Sequence, residues 1–307
     1  MELKFKENMT LLPIIFVCLL MVILYFVEIK FGIDHLFFPE IAALSFGVLS
    51  RKKTWHLEKS ALLLSPIACG SLGVFLSKYF GANFLTLSIC LVGGLVLLRI
   101  FNTSITPSIS AGLFAVLFKI DTISYILNIF LLSIVLLLMN QILNNLEGRF
   151  NQDLREASDR QNKFKYGLFL IVIIYAGFAF ISQKYYIPEL ILPPIFIMAI
   201  EECSETRLSY PIETLKFSFL IAIISYFIFS LKSFLGVGPL VILLSTLSSF
   251  LVFRILKFQA PPLIALALLP LILDRYSLLS PLITSLGFAF IMLSLYVFRK
   301  IFLNAEI

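Results

Sequence analysis

Long runs without charge constrain this chain more than any other feature. Charged side chains are nearly absent from residues 11–27, 61–76, 85–98, 123–139 and 278–298. At about 1.5 Å per helical residue, each run is long enough to cross a hydrocarbon core roughly 30 Å thick. A soluble domain cannot hide that much apolar surface: 60% of the 307 residues are hydrophobic and only 14% are charged, with a mean hydropathy of +1.02. The expected solvent is the lipid bilayer, and the expected fold class is all-α, a polytopic membrane protein. The first run follows Lys4 and Lys6 but leads to no small-residue cleavage site, so it is predicted to be a retained span and not a secretory signal. The net charge of +6 then reports the basic loops of a membrane protein and predicts no nucleic-acid partner. Cys18, Cys69, Cys90 and Cys203 sit in or at the ends of apolar runs without CxxC spacing, which predicts buried free thiols and no metal site.

Apolar runs between charges predict about 12 segments. Four are short, near 36–49, 106–118, 189–200 and 261–273. Basic residues decide whether these cross or dip and return, because Lys and Arg accumulate in cytoplasmic loops. If all segments cross from a cytoplasmic N-terminus, only Lys30, Lys78, Lys119, Lys184, Lys232 and Arg275 of the 24 basic residues lie outside, leaving 18 inside. If the four short segments dip and return, the same residues divide 11 inside to 13 outside. The crossing topology is therefore expected, with both termini cytoplasmic. The long polar stretch 144–165 is expected to be a cytoplasmic linker or surface helix, giving three regions: 1–145, 146–165 and 166–307.

The outer two regions look like copies of one unit. A single offset of 155 places Pro39 on Pro194, Glu58 on Glu213, Gly81 on Gly236, Arg99 on Arg254 and Pro107 on Pro262 without a gap. Coincidences among Leu, Ile and Phe mean little in so apolar a chain; coincidences of Pro, Glu, Gly and Arg mean more. Six segments per copy is an even number, so the expectation is two tandem parallel six-segment repeats related by a pseudo-two-fold axis along the membrane normal. The short segments form two equivalent pairs, each opened by proline, which suits the first turn of a helix that starts inside the membrane after an extended lead.

Polar residues at these starts are the candidate site. Thr103, Ser104, Thr106 and Ser108 surround Pro107, and the N–H groups of a helix starting there, with the hydroxyls, would replace the hydration of a small anion. The competing reading is that the hydroxyls only cap the helix. The second copy keeps Pro261 and Pro262 but loses most hydroxyls, so any site is asymmetric. Glu40 lies just inside the second segment, and a carboxylate at membrane depth is costly enough to suggest function. Glu58 and Glu213 stand at equivalent starts of third spans, as dipole-complementing caps or as gating or coupling groups. Glu201, followed by Glu202, is a further gating or coupling candidate unless it reaches the interface. Gly93-Gly94, aligned with Ser248-Ser249, predict close helix packing. His35 and His56 face opposite ends and are not expected to share a metal. No nucleotide loop, zinc signature or nucleophile elbow occurs, so neither an enzyme nor a cofactor is expected.

The segments Thr106-Pro107-Ser108-Ile109-Ser110-Ala111 and Ala260-Pro261-Pro262-Leu263-Ile264-Ala265 resemble the proline-opened, small-residue-rich segment of the HPP family of bacterial and plastid membrane proteins. The stretch Phe38-Pro39-Glu40-Ile41-Ala42-Ala43-Leu44-Ser45-Phe46-Gly47 is similar to the small-residue stretch that precedes it in that family. The family's histidine position is held here by Thr106 in one copy and by Ala260 or Pro261 in the other. The resemblance implies a membrane carrier, with nitrite suggested for some members.

The leading expectation is a secondary carrier or channel-like transporter for a small anionic solute, with its site between the halves near Pro107 and Pro262. Two alternatives stand beside it: a non-catalytic membrane subunit or scaffold working with a partner protein, and an exporter of aromatic compounds. A homo-oligomer or a partner subunit is compatible with either. The abundance of Lys, Ile and Phe and the lack of an organellar transit segment suggest a bacterial cytoplasmic membrane.

Overall fold

In the computed structural model the residues described are 11–33, 35–50, 59–146, 165–205, 211–256, 259–273 and 276–302. Among them are twelve α-helices and no strand: α1 (Leu11–Phe31), α2 (Pro39–Leu49), α3 (Lys59–Phe80), α4 (Phe84–Ile100), α5 (Pro107–Leu117), α6 (Ile123–Leu146), α7 (Lys165–Tyr185), α8 (Pro193–Glu205), α9 (Pro211–Leu235), α10 (Pro239–Leu256), α11 (Pro262–Ile272) and α12 (Ser280–Phe302). Seven of them, α1, α3, α6, α7, α9, α10 and α12, are long and apolar enough to cross a membrane, the pattern of a multi-pass membrane protein. The polar stretch between α6 and α7 and the loop carrying Glu58 and His56 lie outside the described residues.

Local chemistry sets these boundaries. α2, α5, α8, α9, α10 and α11 each begin on a proline, whose missing N–H is an orphan donor in any case and whose fixed φ suits a first turn. α3 and α9 end on Gly81 and Gly236, at φ 69° and 72°. There each glycine N–H donates back to a last-turn carbonyl, Gly81 to Ser77 at 3.0 Å and Gly236 to Lys232 at 2.8 Å, a left-handed cap that costs glycine least. One boundary departs from expectation. Residues 188–191 form a separate 3-10 turn, and α8 starts only at Pro193 and runs on to Glu205, past the predicted 189–200. Leu192 is held at ψ 123° because a residue before proline is pushed out of the helical region.

The long helices are apolar on both faces. In α1, Ile15, Leu19, Ile23 and Phe26 are exposed while Val17, Cys18, Met21 and Leu24 are buried. A helix that is hydrophobic all round suits one side turned to protein and the other to lipid.

The short helices are different, being buried on every face. All of α2 is buried, as are Pro107–Val116 in α5, Pro193–Glu202 in α8 and Pro262–Leu271 in α11. They pack in a closed ring, α2 on α5, α5 on α8, α8 on α11 and α11 on α2. Around this ring the neighbours of α3, namely α4, α5 and α6, match those of α9, namely α10, α11 and α12. Across the halves, α1 lies on α10 and α4 on α7. Tyr25 Oη donates to the Val237 carbonyl at 2.7 Å, and Phe84 N–H donates to Gln183 Oε1 at 3.0 Å.

Small residues bring α3 and α4 onto α5. A Cβ added to Gly112 would lie 2.5 Å from the Cys69 carbonyl oxygen, and one added to Gly94 would lie 2.9 Å from Ile109 Cγ2. The second fits the packing role predicted for Gly93-Gly94.

Candidate functional site

The ring helices start on the buried prolines Pro39, Pro107, Pro193 and Pro262, so their N-terminal ends lie inside the protein. What stands at those ends defines the site. Glu40 is the second residue of α2, just after Phe38, whose backbone is extended at φ −129° and ψ 143°. Its side chain is 2% exposed, and neither carboxyl oxygen has a hydrogen-bond partner. It borders a cavity of ≈ 10 Å³ shared with Phe38, Pro66, Pro107, Ile129 and Ser133, about the space that the centre of one water molecule needs. The cavity thus joins two predicted residues, Glu40 and Pro107, to Pro66 in α3 and Ser133 in α6. Pro66 lies inside its helix and cannot donate to the carbonyl one turn back.

A second junction links the halves. Thr106 Oγ1 donates to Glu201 Oε1 at 2.7 Å, so the start of α5 is tied to the end of α8 across 95 residues of sequence. Glu201 and Glu202 are both buried, and Arg299 in α12 donates to the Glu202 carbonyl at 3.1 Å. Glu201 is thus fixed inside the protein by a hydroxyl of the other half and not at an open interface.

The remaining predicted residues divide. Ser108 shares a 2.9 Å hydrogen bond with Ser65 in α3. Thr103 is buried, and its Oγ1 accepts from Ile105 N–H at 3.4 Å; the Ser104 carbonyl accepts from Thr106 N–H at 2.9 Å. These contacts shape the turn that leads into α5, and no side-chain hydroxyl caps the helix at Thr106. Pro261 and Pro262 are buried at the start of α11, which packs on α2 and α8 while α5 packs on α2 and α8 from the other half. They do not border the Glu40 cavity. Glu213 is a half-exposed residue in the first turn of α9, paired with Lys216 at 3.3 Å, a placement that matches the helix-dipole role.

The free N–H groups expected at the start of α5 are not free. Pro107 has none, Ser108 N–H donates to the Ile105 carbonyl at 3.1 Å, and Ile109 N–H donates to the Thr106 carbonyl at 3.0 Å. α11 repeats this with Leu263 to Ala260 at 2.9 Å and Ile264 to Pro261 at 3.0 Å. Tightened first turns consume the orphan donors, so in this conformation the helix ends hold no anion by their amides.

Sequence reasoning missed several groups. Glu189, in the 3-10 turn before α8, is buried and accepts from Ser280 Oγ. Glu28 accepts from Phe37 N–H, closing the lead into α2. Tyr125 is fully buried and donates to the Ala111 carbonyl at 2.8 Å. A signal for Glu189 exists in the sequence, since the offset of 155 pairs it with another carboxylate, Asp34. Cys18, Cys69 and Cys90 are buried free thiols. Among the described residues no three His, Cys, Asp or Glu side chains converge as a metal site. Comparison with protein-family models, with characterised proteins and with solved structures finds no significant match.

Proposed function

We propose that this protein is a secondary carrier of a small anionic solute, formed by two parallel copies of a six-helix unit whose short helices α2, α5, α8 and α11 make the transport core. The observation that carries this reading is the ring itself. Four proline-started helices, each too short to cross the bilayer alone, start on buried prolines and are buried over Pro39–Leu49, Pro107–Val116, Pro193–Glu202 and Pro262–Leu271. Paired discontinuous segments of this kind, at the interface of repeats, are the usual site of solute binding in duplicated carriers. A scaffold has no need to bury four helix starts together with the carboxylates of Glu40, Glu189, Glu201 and Glu202, each of which is costly at membrane depth.

Duplication is supported by two features. Bounds of α5 and α11 differ by 155 residues at both ends, the offset of the sequence matches. Helix neighbours also repeat across the halves, within the copies and between them. The preference for an anion rests on the starts of the ring helices, whose amides would attract one once released from their tightened first turns. The likeness to the HPP family, carried by the proline-opened segments, points the same way.

The test is direct. Full-length protein is purified and its thermal stability is followed against a panel of small inorganic anions, organic acids and aromatic compounds, because a ligand that binds the folded state raises apparent stability. A concentration-dependent rise with small anions, followed by uptake of the same anion into reconstituted vesicles, is the expected result. Uptake no faster than in protein-free vesicles for every compound tested overturns the carrier reading, and a rise confined to the aromatic compounds transfers it to an aromatic exporter.

A further inference from the structure

Glu40 is the one side chain among those bordering the small central cavity that can ionise. Both its oxygens lack hydrogen-bond partners, although nearly every other buried polar side chain of the described residues has one. A carboxylate with no hydrogen-bond donor from another side chain is an unfavourable arrangement in a protein interior, because burial penalises its charge. No side chain around it donates to either oxygen, and His35, in the lead into α2, stands edge-on to the Tyr125 ring. α5 (PSISAGLFAVL) and α11 (PLIALALLPLI) carry no titratable side chain. From α6 comes Tyr125, whose hydroxyl is given to the Ala111 carbonyl; from α3 come the buried Cys69 thiol and, in its last turn, Lys78 and Tyr79. α1 carries Cys18, Tyr25, Glu28 and Lys30. Of these, Tyr25 donates to Val237, Glu28 accepts from Phe37, and Lys30 lies over the Phe31 ring.

We propose that Glu40 is a proton-binding site: the carboxyl holds a proton while the ring of short helices is closed, and exchanges it when the ring opens. A metal cation is a poor occupant, because it requires several oxygen ligands and the cavity walls are mostly carbon from Phe38, Ile41, Leu44, Pro66 and Ile129. A purely structural role needs no carboxyl here. The residue 155 positions on, Ile195, fills the same place in α8 and is fully buried. As a coupling device the site rests on the carrier reading, in which a neutral Glu40 admits an anion that an ionised one repels. As a proton-binding site it stands on the cavity alone.

The proton itself is the probe. Infrared spectra of the full-length protein in vesicles, recorded across a pH series, should contain the carbonyl stretch of a protonated carboxyl at the high frequency of one without hydrogen bonds. That band should fade about tenfold per pH unit above its midpoint, shift in heavy water, vanish in E40Q and persist in E189Q. Should E40Q not fold, E40D is expected to move the band instead of removing it. Absence of the band in the wild type at every pH, or its survival unchanged in E40Q or E40D, overturns the proposal. Solute uptake with a pH-sensitive dye inside the vesicles separates the two ideas. A Glu40 band with solute uptake but no solute-driven proton movement keeps the site and rejects the coupling, a Glu40 band without any uptake keeps the site and rejects the carrier, and solute uptake without the band keeps the carrier and rejects the site.

Discussion

The first and second halves set out long and short helices in similar order with matching neighbours, yet they fill the ring with different chemistry. Residues 155 apart set the contrast: Glu40 against Ile195, Ser65 against Leu220, Thr106 against Pro261, Ser108 against Leu263 and Ser133 against Phe288. At each of these positions the first half places a polar group where the second places carbon. The second half keeps its own buried carboxylates further along, Glu189 on Ser280 and Glu201 on Thr106. Its helix α10 directs Ser245 and Thr246 onto the carbonyls of Val241 and Ile242 at 2.7 and 2.8 Å, which satisfies them locally. The polar set around α5 therefore has no counterpart 155 residues on.

The sharpest way to break this contrast is to move the carboxylate. Ile195→Glu puts an unpartnered acid into the apolar copy and is expected to cost about 3 kcal/mol or more, visible as a large fall in the unfolding temperature of the purified protein. Glu40→Gln is expected to leave that temperature unchanged or raised while removing the infrared band. A loss of stability in Glu40→Gln equal to that of Ile195→Glu would mean that the acid of the first half is structural.

Packing supplies the next largest effect. Gly112→Val drives a side chain into the Cys69 backbone and is expected to cost about 3 kcal/mol, at the upper end of overpacking; Ala267, its counterpart, already carries a Cβ, so Ala267→Gly is expected to cost only about 1 kcal/mol. Equal losses in thermal unfolding would show that the two crossings are alike. Thr106→Val removes the hydroxyl from Glu201 and is expected to cost about 1–2 kcal/mol, together with slower solute uptake. Replacing both Ser65 and Ser108 by Ala removes donor and acceptor together, so stability should change by under about 1 kcal/mol. Glu213→Gln breaks only an exposed pair with Lys216, and a few tenths of a kcal/mol is the expected limit. A larger loss there would mark Glu213 as more than a helix-end charge.

Much of the helical layout was legible beforehand. Charges bound the apolar runs, and prolines mark six helix starts, so α5 and α11 begin within a residue of expectation. The exception, α8, arose where a 3-10 turn from Pro188 takes residues 189–191 of the expected segment and the helix starts only at Pro193. The site was legible only in its members. Thr106 and Glu201 both stand out in sequence, as a hydroxyl before proline and an acid in an apolar run, but nothing in either neighbourhood announces that they bond. The expected free amides of α5 were lost to contacts two or three residues back, which depend on a dihedral detail that composition does not carry.

What the sequence determined by itself is the solvent, the helical class, the positions of the breaks and the asymmetry between the halves, because each follows from local hydropathy and from proline's missing donor. What only the tertiary structure decided is which breaks face one another. The ring of α2, α5, α8 and α11, the isolation of Glu40 and the Thr106–Glu201 bond depend on helix rotation and depth. In lipid, where apolar faces are alike to the solvent, packing fixes these, and hydropathy does not.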